Sequence, residues 1–230
     1  QRFIPRNTRI WTIGANNSRF WSEEFDRHNQ RLIPYEVRVL PAGDPGRDRH
    51  SEPDALRILY VGRLVEVKGV ADLIDAVKLL DAKGLSTWTL RVVGDGPLAD
   101  ELRRRSSDET RIQLLGAIPH VDLAEVYRSA DVLVLPSYRE PWGLVVNEAL
   151  GFGLRVIVSD RVGCAVDLVS DENGSTFVAG DIDALASALL DCLEHRDQVA
   201  RRPHSDTAAL MLQDLGGVCK LSWWPLTSQL

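Results

Sequence analysis

The 230-residue sequence has little cysteine. Cys164, Cys192 and Cys219 are widely spaced, with no C-x-x-C pair and no Cys/His metal spacing. A disulfide framework or zinc ribbon would need a denser pattern, so free thiols in a reducing compartment are expected. The histidines number five and include no H-E-x-x-H, which removes the zinc-protease signature. No run of about 18 apolar residues occurs, so no segment reads as a transmembrane helix. No stretch has the charged, apolar and small-residue order of a secretory signal peptide. Positive charge is also short: Lys and Arg total 27 against 33 Asp and Glu, for a net charge of −6. A nucleic-acid-binding face favours the opposite sign, so no nucleic-acid partner is expected, although a local basic pocket for a small anion is compatible with that balance. The first residue is Gln rather than Met, and an apolar stretch, Ile10-Trp11-Thr12-Ile13, follows almost at once. It reads as a strand entered partway through a fold, and the chain is expected to be a fragment.

What is present is an ordinary globular composition, 44% hydrophobic and 26% charged. The length suits one large domain, or one domain and part of another. "GANNSRFWSEEF" predicts a turn into a helix with Phe20, Trp21 and Phe25 on its apolar face. "RLIPYEVRVL" reads as extended and broken by Pro34, and residues 41–55 read as a Pro/Gly-rich linker. From there β and α signals alternate. Strands are expected at 56–62, 88–94, 111–116, 131–137 and 155–160. Between them lie helical patterns, such as Val70, Leu73, Ile74, Val77 and Leu80, or Leu123, Val126 and Tyr127. A long helix follows Asp181, a good N-cap. The stretches 159–164 and 172–174 read as loops. The alternation predicts an α/β fold, a doubly wound, Rossmann-like parallel sheet covered by helices. Ligands of such sheets bind beyond the carboxyl ends of the strands. That rim would carry the loops at 62–69, 94–97, 116–121 and 137–143. The final residues, 201–230, form a tail of uncertain structure.

Several motifs fall on this rim. In "GRLVEVKG", Gly62 permits a close approach, and Arg63 and Lys68 flank a helix start, which suits a diphosphate. The plainer reading is a pair of solvated surface charges. "VVGDGPLAD" has the letters of a dinucleotide fingerprint, but no acid stands about 20 residues on, and a tight turn near the ligand is the better reading. "REPWGLVVNEAL" places Gly143 at a helix start, Glu140 in the loop before it and Glu148 in the second turn. A carboxylate accepts two hydroxyl hydrogens at once, so Glu148 suits a ribose diol. The alternatives are a structural Arg partner or a glycosidase acid/base pair. "DID" at 181–183 has the letters of a metal motif, but it sits where Asp caps a helix, and no metal is expected.

Five blocks in this order and spacing carry a resemblance: "YVGRLVEVKGVADLIDA", "LRVVGDGPL", "LLGAIPHVDLAEVYRSADVLVLPS", "EPWGLVVNEAL" and "RVIVSDRVGCAVDLV…ENG". Over about 55–195 the chain resembles the C-terminal, donor-binding half of the GT4-type retaining glycosyltransferases of the GT-B fold. The resemblance implies three parts: 1–50, a remnant of the N-terminal acceptor domain and linker; 55–200, the donor-binding domain; and 201–230, the tail. It implies that Glu140 and Glu148 are the acids of the E-x7-E element, at the sugar and the ribose respectively. Arg63 and Lys68 would hold the diphosphate and stabilise the leaving group. Gly62, Gly143, Leu144 and Val145 would contribute backbone contacts, and Ile118 would meet the base through its backbone. The donor substrate would be a nucleotide-diphosphate sugar, with no metal and no other cofactor. The acceptor would be a carbohydrate or lipid-linked, the compartment cytoplasmic, and any membrane association peripheral. The pathway implied is polysaccharide or glycoconjugate biosynthesis. Departures from the family pattern are Arg155 for a usual Pro, Phe152 for a small residue, Val166 for a frequent Pro, an "ENG" turn one residue short, and no recognisable final helix. A noncatalytic nucleotide-sugar-binding domain is the alternative function.

Overall fold

The structure, a computed structural model, describes residues 10–22, 30–32, 55–82 and 87–194. The expected linker lies outside them except for Ala55, which is buried. Trp21's side chain, Phe25, Pro34, Cys219 and the tail 201–230 lie outside them as well.

A continuous apolar run makes a strand buried on both faces, and "LRILYV" does so as β3 (Leu56–Val61). The parallel strands β4 (Trp88–Val93), β5 (Ile112–Gly116), β6 (Val132–Leu135), β7 (Arg155–Ser159) and β8 (Gly174–Phe177) join it in one six-stranded sheet, ordered β5-β4-β3-β6-β7-β8. Side chains alternate across a strand. Ile58 and Tyr60 therefore enter one core layer while Leu59 and Val61 enter the other. The first layer is closed by α2 (Val70–Ala82), α3 (Ala99–Arg105) and α7 (Ile182–Glu194), through Leu73, Ile74, Leu102 and Leu185. The second is closed by α4 (Leu123–Arg128) and α5 (Leu144–Gly151), through Leu123, Tyr127, Val146 and Leu150. Helices on both faces of a parallel sheet are the doubly wound α/β architecture expected from the alternation.

The strand order sets the position of any ligand. Chain connections run from β3 outward to β4 and β5 on one side, and from β6 outward to β7 and β8 on the other. The crevice between the carboxyl ends of β3 and β6 is thus the topological switch point. Beside it, the loop after β4 closes on the loop after β3. A Cβ on Gly94, whose φ is +140°, would sit 1.8 Å from the Gly62 carbonyl oxygen, so only glycine allows that approach. The "GDG" turn is therefore a tight turn at the rim.

The N-terminal part forms a separate unit, β1 (Ile10–Thr12), α1 (Gly14–Ser22) and β2 (Gln30–Leu32), with the two strands paired in parallel. Two local expectations need correction. Phe20 is 64% exposed and is not part of a buried helix face. The expected loop 172–174 is cut short: its Gly174 is already the first residue of β8, which pairs with β7 at the edge of the sheet. The strand's four residues, GSTF, are too short and too weakly apolar to show a period. The short α6 (Ala165–Leu168) was likewise not anticipated.

At the opposite end of the sheet, β3 and β6 are pinned by a largely buried ion pair. Arg57 donates to Asp131 through Nε (2.9 Å), Nη2 (2.7 Å) and its backbone N–H (3.0 Å). The Asp131 N–H donates back to the Arg57 carbonyl at 2.9 Å. Asp131→Ala leaves the guanidinium without its partner and is expected to destabilise the chain by about 3 kcal/mol. The double variant Arg57→Met/Asp131→Leu should cost less than that single change. Urea denaturation of both variants checks this, and a cheaper single variant would contradict it.

Candidate functional site

The loop after β3 is fixed from beneath. The buried Tyr60 hydroxyl donates to the Arg63 carbonyl at 2.9 Å. Burial, then the nearby Glu140 charge, raises the Tyr60 pKa well above that of an ordinary phenol, so the hydroxyl stays a donor. The loop then makes a 3-10 turn at Glu66–Lys68 before α2 begins at Val70. The Tyr138 N–H donates to the Val67 carbonyl at 2.8 Å, which ties this loop to the one after β6.

Across that tie, the Lys68 ammonium is ion-paired to Glu140, with side-chain exposures of 21% and 14%. The reading of Lys68 as a solvated surface charge is therefore wrong. Arg63 differs: it is exposed on the same loop, and its side chain makes no hydrogen bond or ion pair among the described residues. Gly143, at φ +99°, is the residue before α5. The N–H groups of Leu144 and Val145, which follow it, meet no acceptor among the described residues. Unsatisfied N–H groups at a helix start present partial positive charge to an anion. Gly62, Arg63, Lys68, Glu140, Gly143, Leu144 and Val145 are thus brought together around the switch point.

Glu148 faces the same rim one turn further along α5. Its partner is not the structural Arg considered from sequence. Tyr127 donates its hydroxyl to Oε2 at 2.6 Å, and His120 Nε2 lies 3.4 Å from Oε1. Burial, reinforced by Glu148, raises the Tyr127 pKa far above the ordinary phenol value, which keeps that proton in place. The ring stacks on Phe152, with centroids 5.3 Å apart and planes 9° from parallel. One carboxylate oxygen is therefore oriented from the core, and among the described residues the other meets only an exposed imidazole. Ile118 precedes His120 on the connection from β5. Its side chain packs into the second core layer, and its backbone N–H and C=O have no partner among the described residues.

Sequence reasoning missed His120 and the hydroxyl of Tyr127. Tyr127 was placed on the apolar face of α4, where its ring belongs, but only the fold shows that the phenol reaches α5. Asp181 accepts the Ala184 N–H at 2.8 Å, which is a capping role. Among the described residues, no three His, Cys, Asp or Glu side chains converge.

The family description "Glycosyl transferases group 1" matches residues 47–205. The chain belongs to this family. Among curated relatives of these group 1 glycosyl transferases, it is similar to the sulfoquinovosyl transferase of Arabidopsis thaliana, at 30% identity over 189 residues. That match covers 80% of this chain and 34% of the relative. It is also similar to the glycogen synthase of Mycobacterium tuberculosis strain H37Rv, 31% identical over 161 residues, covering 69% of this chain and 39% of that one. The chain thus spans little more than a third of the length of these relatives. Among solved structures, sucrose-phosphate synthase from Thermosynechococcus elongatus superposes with a TM-score of 0.68 at 26% identity, over 90% of this chain and 57% of that one. The Anabaena protein HepE, solved with UDP-glucose, gives 0.71 at 22% identity, over 92% of this chain and 60% of that one. The second likeness shows the fold alone. Together they place the six-stranded sheet in the GT-B class.

The Tyr127–Glu148 bond is testable without any ligand. In a double-mutant cycle of Tyr127→Phe and Glu148→Gln, the coupling energy should be about 1–2 kcal/mol, as for a buried hydrogen bond to a charged group. Urea midpoints measure it. A coupling near zero would mean that the carboxylate is oriented by something else.

Proposed function

We propose that this chain carries the donor half of a retaining glycosyltransferase. The observation that carries the reading is the convergence at the switch point of two cations, two carboxylates and the open N-terminus of α5. A nucleotide-diphosphate sugar has a complementary group for each. Its ribose diol suits Glu148, whose Oε1 becomes available once His120 moves aside. Its diphosphate suits Arg63, Lys68 and the Leu144 and Val145 N–H groups. The base lies toward Ile118, and the sugar toward Glu140.

The ion pair explains how Lys68 waits for the donor. With no ligand, Glu140 neutralises it. A diphosphate brings more negative charge to the same ammonium and frees the Glu140 carboxylate to face the sugar. Transfer then breaks the bond from the anomeric carbon to the diphosphate oxygen. The acceptor hydroxyl bonds to that carbon on the same face, and its proton passes to the departing phosphate oxygen. Arg63, Lys68 and the helix N–H groups stabilise the charge that builds on the leaving group, where preorganised electrostatics lower a barrier most. Because these groups supply the positive charge, the proposal needs no metal. We further place the chain in the cytoplasm, acting on a carbohydrate or lipid-linked acceptor in polysaccharide or glycoconjugate biosynthesis.

Calorimetric titration of the chain with UDP, GDP and ADP tests the reading. One nucleotide should bind saturably. Arg63→Ala and Glu148→Ala should each weaken it by about tenfold or more, the worth of a charge-assisted contact. A folded chain that binds none of the three would defeat the donor-site assignment. Binding of a nucleotide sugar without its transfer to any acceptor would favour the noncatalytic reading.

A further inference from the structure

The loop that carries Glu140 is held from two sides, and one of them is the N-terminal unit. On the inner side, segments 140–142 and 161–164 run together: Gly163 N–H donates to the Glu140 carbonyl at 2.8 Å, Cys164 N–H to the Trp142 carbonyl at 3.0 Å, and Glu140 N–H to the Arg161 carbonyl at 3.2 Å. Trp142 is buried between the two acids in sequence. Its Nε1–H donates to Asn147 Oδ1 at 2.9 Å, one residue before Glu148.

The turn between β1 and α1 docks on this double segment. Ala15 N–H, one of the unsatisfied donors that begin α1, meets both oxygens of Asp167 at 3.0 and 3.1 Å. A carboxylate at a helix start also answers the positive end of the helix dipole. Asn16 Nδ2 donates to the Gly163 carbonyl at 3.4 Å. Gly14, at φ +75°, leaves room for Trp142: a Cβ there would fall 2.3 Å from the ring Cζ3 and 2.7 Å from an Asp167 oxygen. Ile13 packs against the core layer that contains Trp142. The β1–β2 pair is a separate sheet, so these contacts join two units through the catalytic loop.

We infer that Asp167 and the Gly14–Asn16 turn are positioning elements for the Glu140–Trp142 loop, so that the sugar end of the donor site is complete only when the β1–α1 unit is docked. This rests on the donor-site reading for its ligand consequences alone. The docked turn lies against the Trp142 ring at Gly14, and Trp142 stands between Glu140 and the start of α5 in the chain. Releasing the turn frees Glu140 while leaving Glu148, which is held by Tyr127, in place. The nucleotide end and the sugar end of the site should therefore respond differently.

The test uses the whole chain with Asp167→Ala and, from the other side of the contact, Gly14→Ala. Hydrogen–deuterium exchange at 10–22 and at 138–147 should accelerate by about tenfold, the loss of one charge-assisted hydrogen bond, while 56–61 and 132–135 stay unchanged. Affinity for UDP-glucose should fall by about tenfold while that for UDP stays within about twofold. The inference is overturned if 138–147 exchanges at the parent rate in both variants, if exchange rises uniformly across the sheet, or if both ligands weaken together. If the folded parent chain binds neither UDP nor UDP-glucose, the donor-site reading fails by itself, and exchange alone decides whether the turn positions the loop.

Discussion

The ion pair of Lys68 and Glu140 spans the one place where the sheet's connections diverge. Chain leaving β3 turns toward one edge, and chain leaving β6 turns toward the other. A parallel sheet leaves a crevice there, and the two loops lining it have no reason to approach unless something draws them in. The Lys68–Glu140 bridge and the Tyr138–Val67 hydrogen bond do so. The remaining contacts of the site are arranged around that closure. Tyr60 supports the first loop from below, Gly94 admits the neighbouring loop, and the 161–164 segment backs the second.

Much of this was legible in the sequence because it depends on local chemistry. Continuous apolar runs predicted buried parallel strands, and the spacing of Val70, Leu73, Ile74, Val77 and Leu80 predicted the buried face of α2. Gly143 ahead of an apolar helical stretch marked the start of α5. The rim positions of Arg63, Lys68 and Glu140 followed from strand ends, and that of Glu148 from the helix that begins after Gly143. The family resemblance then implied roles for them, and the chain's membership of the group 1 glycosyl transferases is what the comparison shows.

What was not legible is long-range. Tyr127 looks like a core residue in sequence, and its ring is one, but its hydroxyl reaches a carboxylate on another helix. Asp167 drew no expectation from sequence, yet it caps a helix 152 residues away. A pattern of apolar spacing reports which face of an element is buried. It does not report which polar atom at the edge of that face meets which other, because that depends on packing between elements. β8 escaped for a different reason: an edge strand of four residues has too few positions for a period to show.

The departures from the family pattern follow the same physics. Phe152, where a small residue is common, is buried against Tyr127, and Arg128 lies 5.6 Å over its ring. The larger ring therefore extends the support under Glu148. Arg155, where Pro is usual, uses the N–H that Pro lacks to donate to the Asp131 carbonyl at 3.0 Å. That bond joins β7 to the residue already pinned by Arg57, so the N-terminal ends of β3, β6 and β7 are coupled through Asp131. Val166 stands on the exposed surface of α6, one residue from Asp167. Of these three substitutions, two thus make contacts within the half built on the six-stranded sheet. The third sits beside the residue through which that half meets the N-terminal unit.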